Sequence, residues 1–530
     1  MAILSEPLEA QSDFAPRRPD IAQSPPANTS ATPLLVNTCL LAFAAISMSV
    51  PIGTGIAIYT ERSDFRFRGF VRSVVYVLLF VPAFVHVAAW DAGFGLQGWF
   101  GYATGNVMLA GWRAAIWLHA VTAIPWVAVI AMSGLRYSSC QLEEQALLDR
   151  GPWTAFRTIT LRAATPSIVT AAIWVFVIAA NEITITDVYQ VRTYAEEVYV
   201  GFALGDELRE AQTRVLPGTI LIGVLVFGAV RVCRQFSSLD NQTLPRQTNV
   251  YRITRGRRIL ETFTLLVLAT LVFVPLFNLG YKAGILVEQS GDVRTRVWSV
   301  RKLLAILIDS PQRYAAEISW SFICGQLVAG TSVVIAYMLA WWQSSRPCKL
   351  AGYGLAILGI AIPAPILALS VANLFSQSQL PLIAYLYNDT IFVTWLVLTI
   401  RCFPFAYVLA LHAVNSIGKR VIENATLDGL NRWQQLLRIG MGQLSQFFVS
   451  SWIICFAWVI GELSATILTV PPGVTTLSVT MFNLVHYGVE DRLAGICLFV
   501  IGLSIVLAIL GTRLASKARD STRGFEQTNV

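Results

Sequence analysis

Apolar residues run in long stretches along this chain, separated by short polar connectors. A stretch of about 18 or more apolar residues with few charges is long enough to cross a bilayer as a helix. Eleven such spans are predicted, over roughly 34–59, 70–91, 110–133, 165–188, 216–233, 259–280, 318–342, 351–373, 390–412, 447–469 and 493–513. The pattern therefore predicts an all-α polytopic membrane protein. Pro82, Pro125, Pro363 and Pro404 fall inside spans, where a helix bundle tolerates proline because neighbours satisfy the freed backbone groups. Residues 1–33 are rich in Pro, Ser, Ala and acidic side chains and lack periodicity. They read as a disordered tail with no apolar core of the signal-peptide kind.

The polar connectors carry a repeat. Glu143 precedes Trp153 by ten residues, and Glu423 precedes Trp433 by ten, at an offset of 280. Ile159 and Glu182 map onto Ile439 and Glu462 at the same offset, and Pro82 and Pro125 map onto Pro363 and Pro404 within one residue of it. Matching spans run in the same direction, which predicts two parallel halves. The expected division is a tail (1–33), a first half of about five spans (34–236), a basic linker (237–258), a second half of about six spans (259–513) and a short tail (514–530). The span 259–280 has no partner in the first half, which makes the count odd.

Composition agrees with the pattern. The chain has 530 residues, 55% hydrophobic and 13% charged, and its mean hydropathy is +0.60. A soluble domain carries about 25% charge. The net charge of +8 is spread over many connectors, which suits loops facing an anionic leaflet and gives no basis for nucleic-acid binding. The stretch 231–258 holds seven Arg and one Asp, so it is expected in the cytoplasm. Alternation then places both Glu…Trp loops and the C-terminus in the cytoplasm and the N-terminus outside. The connector 281–317 is expected outside although it holds six basic and four acidic residues, and an amphipathic surface helix would account for it. The eight cysteines lack disulfide or metal-site spacing and read as packing residues.

Each Glu…Trp loop has the makings of a short exposed helix. Glu423-Asn424-Ala425 starts one with an acidic residue near its positive end, and Gly429 ends it. Two copies at one offset point to two equivalent docking points for a soluble partner. These loops resemble the EAA loops of type I ABC-transporter permeases, whose pattern is Glu-Ala-Ala, three residues, Gly, and later Ile-x-Leu-Pro. The second copy matches at Glu423, Ala425 and Gly429, with Asn424 in place of the first Ala. The first keeps Glu143, but Glu144 and Gln145 replace both Ala, Asp149 stands at the Gly position, and Ala146 follows the Glu by three. Gly151 lies two residues past Asp149, where it can supply the turn. Arg162 and Gly442 stand where the terminal Pro would be. The resemblance implies that the stretches Glu143–Trp153 and Glu423–Trp433 hold coupling helices for an ATPase, with the loop around Glu143 the weaker contact.

The stretch Glu462-Leu463-Ser464-Ala465-Thr466, then Pro471-Pro472-Gly473 and Thr475-Thr476-Leu477, is similar to fused permeases of the ferric-iron class. Asp187 to Tyr199 resembles the matching part of their first half. The likeness implies a bacterial inner-membrane importer subunit served by two copies of a P-loop ATPase and an extracytoplasmic solute-binding protein, with membrane lipid around it. Ferric iron is the expected solute; thiamine, phosphonate and polyamines are the alternatives within the family. A secondary transporter is the rival outside it, although it would favour ionisable residues at mid-span.

Glu182 and Glu462 lie near span ends as a symmetric pair. A carboxylate in a bilayer normally faces a cavity or a partner, and the pair is a candidate for the solute pathway, with a hydrogen bond to a neighbouring helix as the plainer reading. His86 and His119, in or near spans, read as helix–helix hydrogen bonders, and no metal site is assigned. Arg113 and Arg401 are expected to snorkel. No Walker A, HExxH or Gly-x-Ser-x-Gly pattern occurs, so the chain is read as a transport subunit with no catalytic residues and no bound cofactor, ATP being used by a separate partner.

Overall fold

A computed structural model describes residues 31–136, 140–204, 216–228, 250–251, 257–290, 293–343, 345–377, 380–488 and 490–527. The expected tail up to residue 30 and nearly all of the expected linker 237–258 lie outside the described residues. Among the described residues, eight helices are long and apolar enough to cross a membrane, or ten if two bent pairs are counted as spans. A shorter apolar helix, Leu216–Gly228, lies in the expected span 216–233.

Each half is built on one tight helix pair. Ala31–Arg62 packs along Gly111–Leu135 in the first half, and Ala315–Trp341 along Phe392–Asn415 in the second. Alanines line these seams, among them Ala45, Ala123, Ala336 and Ala406, all fully buried. Small residues let helix backbones approach where lipid gives no hydrophobic drive for association. Gly53 shows how close: a Cβ there would stand 2.7 Å from that of Val127.

Two expected spans are broken. The helical stretches Arg68–Leu79 and Ala83–Thr104 meet at 101°, and Arg346–Ala361 and Ala364–Ser376 at 106°. The breaks fall at Pro82 (ψ 155°) and Pro363 (ψ 141°), both extended. Proline lacks an N–H and disfavours the helical conformation in the residue before it, and Ile362 is indeed extended at ψ 122°. Two further spans end early. The expected 165–188 stops at Asn181 and resumes as Thr184–Val188, and the expected 447–469 stops at Ile460 and resumes as Thr466–Thr469.

The connector 281–317 folds as an antiparallel hairpin, Ile285–Ser290 against Val293–Trp298, followed by the helix Val300–Arg313. The expected surface helix is therefore present but shorter. The unpaired span, Arg257–Gly284, packs between the last helix of the second half and the first half, where Asn278 Nδ2 donates to Ala89 O at 3.0 Å. The last helix runs from Glu490 to Gln527, through most of the expected tail. The described cysteines are all free thiols.

Candidate functional site

The two Glu…Trp loops share one architecture. Cys140–Arg150 and Lys419–Leu427 are short helices, and each is followed by a glycine in the left-handed region, Gly151 at φ 81° and Gly429 at φ 79°. The chain then enters a long helix that opens with one regular turn and a π turn, Phe156–Thr160 in the first half and Leu436–Gly440 in the second, 280 residues apart. The glycines are 278 apart, because Leu430 and Asn431 are added between Gly429 and the second long helix.

The loops are fastened by different chemistry. In the first, Glu143 is fully buried. Its carboxylate accepts from Arg62 Nη1 at 2.9 Å and from Thr160 Oγ1 at 2.6 Å. Arg62 ends the first helix and also donates from Nε to Leu135 O at 3.0 Å, at the carboxyl end of the neighbouring helix. Tyr251 closes the cluster, with its hydroxyl 2.9 Å from Thr160 Oγ1. In the second, Glu423 and Asn424 are exposed and Ala425 is buried. Leu430 N–H donates to Ala425 O at 3.0 Å, which closes the helix end over Gly429. Asn431 and Gln434 form a reciprocal capping box. Trp341 Nε1 donates to Arg432 O at 3.1 Å, Trp342 packs edge-on against Trp433 at 4.5 Å, and buried Gln435 donates to Thr426 Oγ1 at 3.0 Å.

Of the remaining loop residues, Ala146 is half-buried and Asp149 exposed. Trp153 is exposed and stacks on Phe156 at 5.9 Å. Sequence reasoning missed two others. Leu148 is 89% exposed and Leu427 is 85% exposed, at nearly the same place in the two loops. Leucines so exposed at the ends of rigid loops are candidate contact residues. A leucine near the end of each polar loop, 279 residues apart, was the signal available.

Glu182 and Glu462 face one cavity of about 200 Å³ between the halves. That is below the roughly 300–1,000 Å³ of pockets for drug-sized ligands, so it suits a small solute. Residues from both halves line it, among them Pro82, Trp126, Trp174, Arg401, Phe405 and Trp458. Both carboxylates are turned back on their own backbone. Glu182 accepts from Thr184 N–H and Ile185 N–H, each at 2.8 Å. Glu462 accepts from Ala465 N–H at 3.0 Å and Thr466 N–H at 3.2 Å. Each therefore caps the short helix after a broken span, where an anion is favoured. Arg401 does not snorkel. It lies in the middle of Phe392–Asn415 and lines the cavity.

His119 is buried with Nδ1 2.8 Å from Ala115 O, a bond within its own helix. Among the described residues no group of three or more His, Cys, Asp and Glu is placed to hold a metal ion.

The comparisons with known proteins agree with this geometry. The family described as binding-protein-dependent transport system inner membrane component matches twice, over residues 49–237 and 332–520. The chain belongs to this family, and its membrane helices and repeated halves are those of a transport component. It is 28% identical over 162 residues to a protein of Salmonella paratyphi A named as a putative 2-aminoethylphosphonate transport system permease protein, covering 30% of this chain and 57% of that one. A protein of the same name from Salmonella typhimurium is 27% identical over 162 residues and likewise 57% covered. The chain thus spans a little over half the length of these relatives.

Proposed function

We propose that this chain is the fused permease of an ATP-driven importer in the bacterial inner membrane, with both halves of the pathway on one polypeptide. The carrying observation is the pair of anchored loops, each presenting an exposed leucine, Leu148 and Leu427, beside a left-handed glycine turn. In this reading two copies of a separate P-loop ATPase take one loop each. Closure of the ATPase pair on ATP draws the loops together, and the energy enters as differential binding to two states of the bundle. The loop anchors make this transmission stiff. Arg62 joins the first loop to two long helices, and Trp341 joins the second to its own helix pair. A solute-binding protein outside would deliver the solute to the face opposite the loops.

For the solute, phosphonate is favoured over the ferric iron expected from the sequence. The relatives carry the name of a putative 2-aminoethylphosphonate transport system permease protein. The test is reconstitution of the full chain in proteoliposomes with the ATPase and the secreted binding protein encoded beside its gene. ATP-dependent uptake of 2-aminoethylphosphonate is expected in a panel with ferric iron, thiamine and spermidine. No ATP-dependent uptake of any of the four, or no assembly with the ATPase, would count against this reading.

A further inference from the structure

We infer that Arg401 receives the oxyanion end of a small zwitterionic solute in the central cavity, an inference that rests on the cavity being the transport pathway. A guanidinium carries five N–H donors. Protein groups meet few of those of Arg401. Its Nη1 reaches Asn181 Oδ1 and Ile362 O, both at 3.4 Å, longer than ordinary hydrogen bonds. Asn181 Oδ1 is already engaged by Ala364 N–H at 3.1 Å. The buried Nε of Arg401 has no partner. Glu462 is near enough to attract the guanidinium, but its own oxygens are held by Ala465 and Thr466. Half-buried at the cavity wall with so few protein partners, the guanidinium adds little to the stability of the fold.

The repeat makes the same point. At the 279-residue offset that joins Pro125 to Pro404, Arg401 corresponds to Thr122, which also lines the cavity. A neutral residue serves the same helix position in the first half, so the architecture does not require the cation. The charge stands on one side of the cavity only.

The charges lining the cavity then select the solute class. They are one guanidinium, Arg401, and two carboxylates, Glu182 and Glu462. A bare anion meets the carboxylates, and a bare cation meets the guanidinium. A solute carrying both an ammonium and an oxyanion satisfies both signs. The guanidinium fork matches a phosphonate or a carboxylate in two parallel bonds. Trp126, Trp174, Phe405 and Trp458 form an adjoining aromatic wall, with Phe405 5.5 Å from Trp174 and 5.0 Å from Trp458. That wall gives the cavity an apolar side and places aromatic rings where they can meet an ammonium.

The test is calorimetric binding to the purified full chain in detergent. The probes are 2-aminoethylphosphonate, β-alanine, inorganic phosphate and ethylamine. The wild type is expected to bind the two zwitterions more tightly than phosphate or ethylamine. Arg401→Gln is expected to weaken zwitterion binding by about 10- to 100-fold, the loss of a charged hydrogen-bonding partner. Arg401→Lys is expected to fall between. Equal zwitterion binding by wild type and Arg401→Gln overturns the role of Arg401, as does the absence of any binding by the wild type. Phosphate or ethylamine binding as tightly as the zwitterions overturns the zwitterion class. Co-purification with the neighbouring ATPase, measured on the same preparations, separates failure here from failure of the permease reading, because it does not depend on the cavity. Should Arg401→Gln elute aggregated, Arg401→Lys carries the test, and unchanged zwitterion affinity in it overturns the guanidinium fork.

Discussion

Arg62 Nη1 donates to Glu143 Oε2 at 2.9 Å, with both side chains buried. The pair joins the end of the first helix to the first loop. Its counterpart in the second half is made of tryptophan: Trp341 and Trp342 hold Arg432 and Trp433. One mechanical role is thus filled by a buried ion pair on one side and by aromatic packing on the other.

Removing one partner of a buried pair leaves the other charge uncompensated, at about 3–5 kcal/mol. Glu143→Gln and Arg62→Met are each expected to lower the melting temperature in detergent clearly. The double variant should cost less than the sum of the two. Glu423→Gln, at an exposed site, should stay within about 0.5 kcal/mol of the wild type. Equal melting losses for Glu143→Gln and Glu423→Gln would contradict the asymmetry.

Gly151 and Gly429 hold φ near +80° with open space where a Cβ would stand. Alanine there is strained by backbone conformation and not by crowding, at about 1–2 kcal/mol. Gly442 has the same open space but lies inside a helix. Gly442→Ala should be neutral or stabilising by about 0.5–1 kcal/mol. Differential scanning fluorimetry of the three variants checks the order.

On the face opposite the loops, His486 Nε2 lies 2.9 Å from Asp187 Oδ2, joining the second half to the first. The bond to Asp187 raises the His486 pKa above its ordinary value. Nearby, burial and the charge of Asp187 push Glu196 up to about 7. Both groups bind protons more tightly in the folded protein. Their contributions are therefore fully present below the unfolded values, about 6.5 for His and 4.3 for Glu, and are lost as pH rises through the folded ones. The wild type is expected to lose stability relative to His486→Gln as pH rises from about 6 to 8. A gap between their melting temperatures that is constant over that range would refute the charged pair.

Much of the fold was legible because the repeat was legible. Prolines 82 and 363, glutamates 182 and 462, and the tryptophans that follow both loops all take equivalent places in the two halves. The breaks were not legible. An apolar run with one central proline has the composition of a kinked span, and only packing decides that Pro82 and Pro363 turn the chain by about a right angle. The burial of Glu143 was hidden as well, since its partner Arg62 lies 81 residues away. Arg401 looked like a snorkelling cation because hydropathy carries no information on which face of Phe392–Asn415 meets the cavity.

The most direct test of the account is the double variant Leu148→Asp/Leu427→Asp, reconstituted with the neighbouring ATPase and binding protein. Both side chains are almost fully exposed, so the chain should fold and melt as the wild type does. An aspartate placed where an apolar contact is buried on docking leaves a charge without a partner and costs at least about 1–3 kcal/mol. Co-purification of the ATPase and ATP-dependent uptake are therefore expected to fall at least tenfold, with Leu427→Asp alone costing more than Leu148→Asp. A folded double variant that keeps wild-type ATPase binding and uptake would contradict the assignment of these loops as the coupling sites.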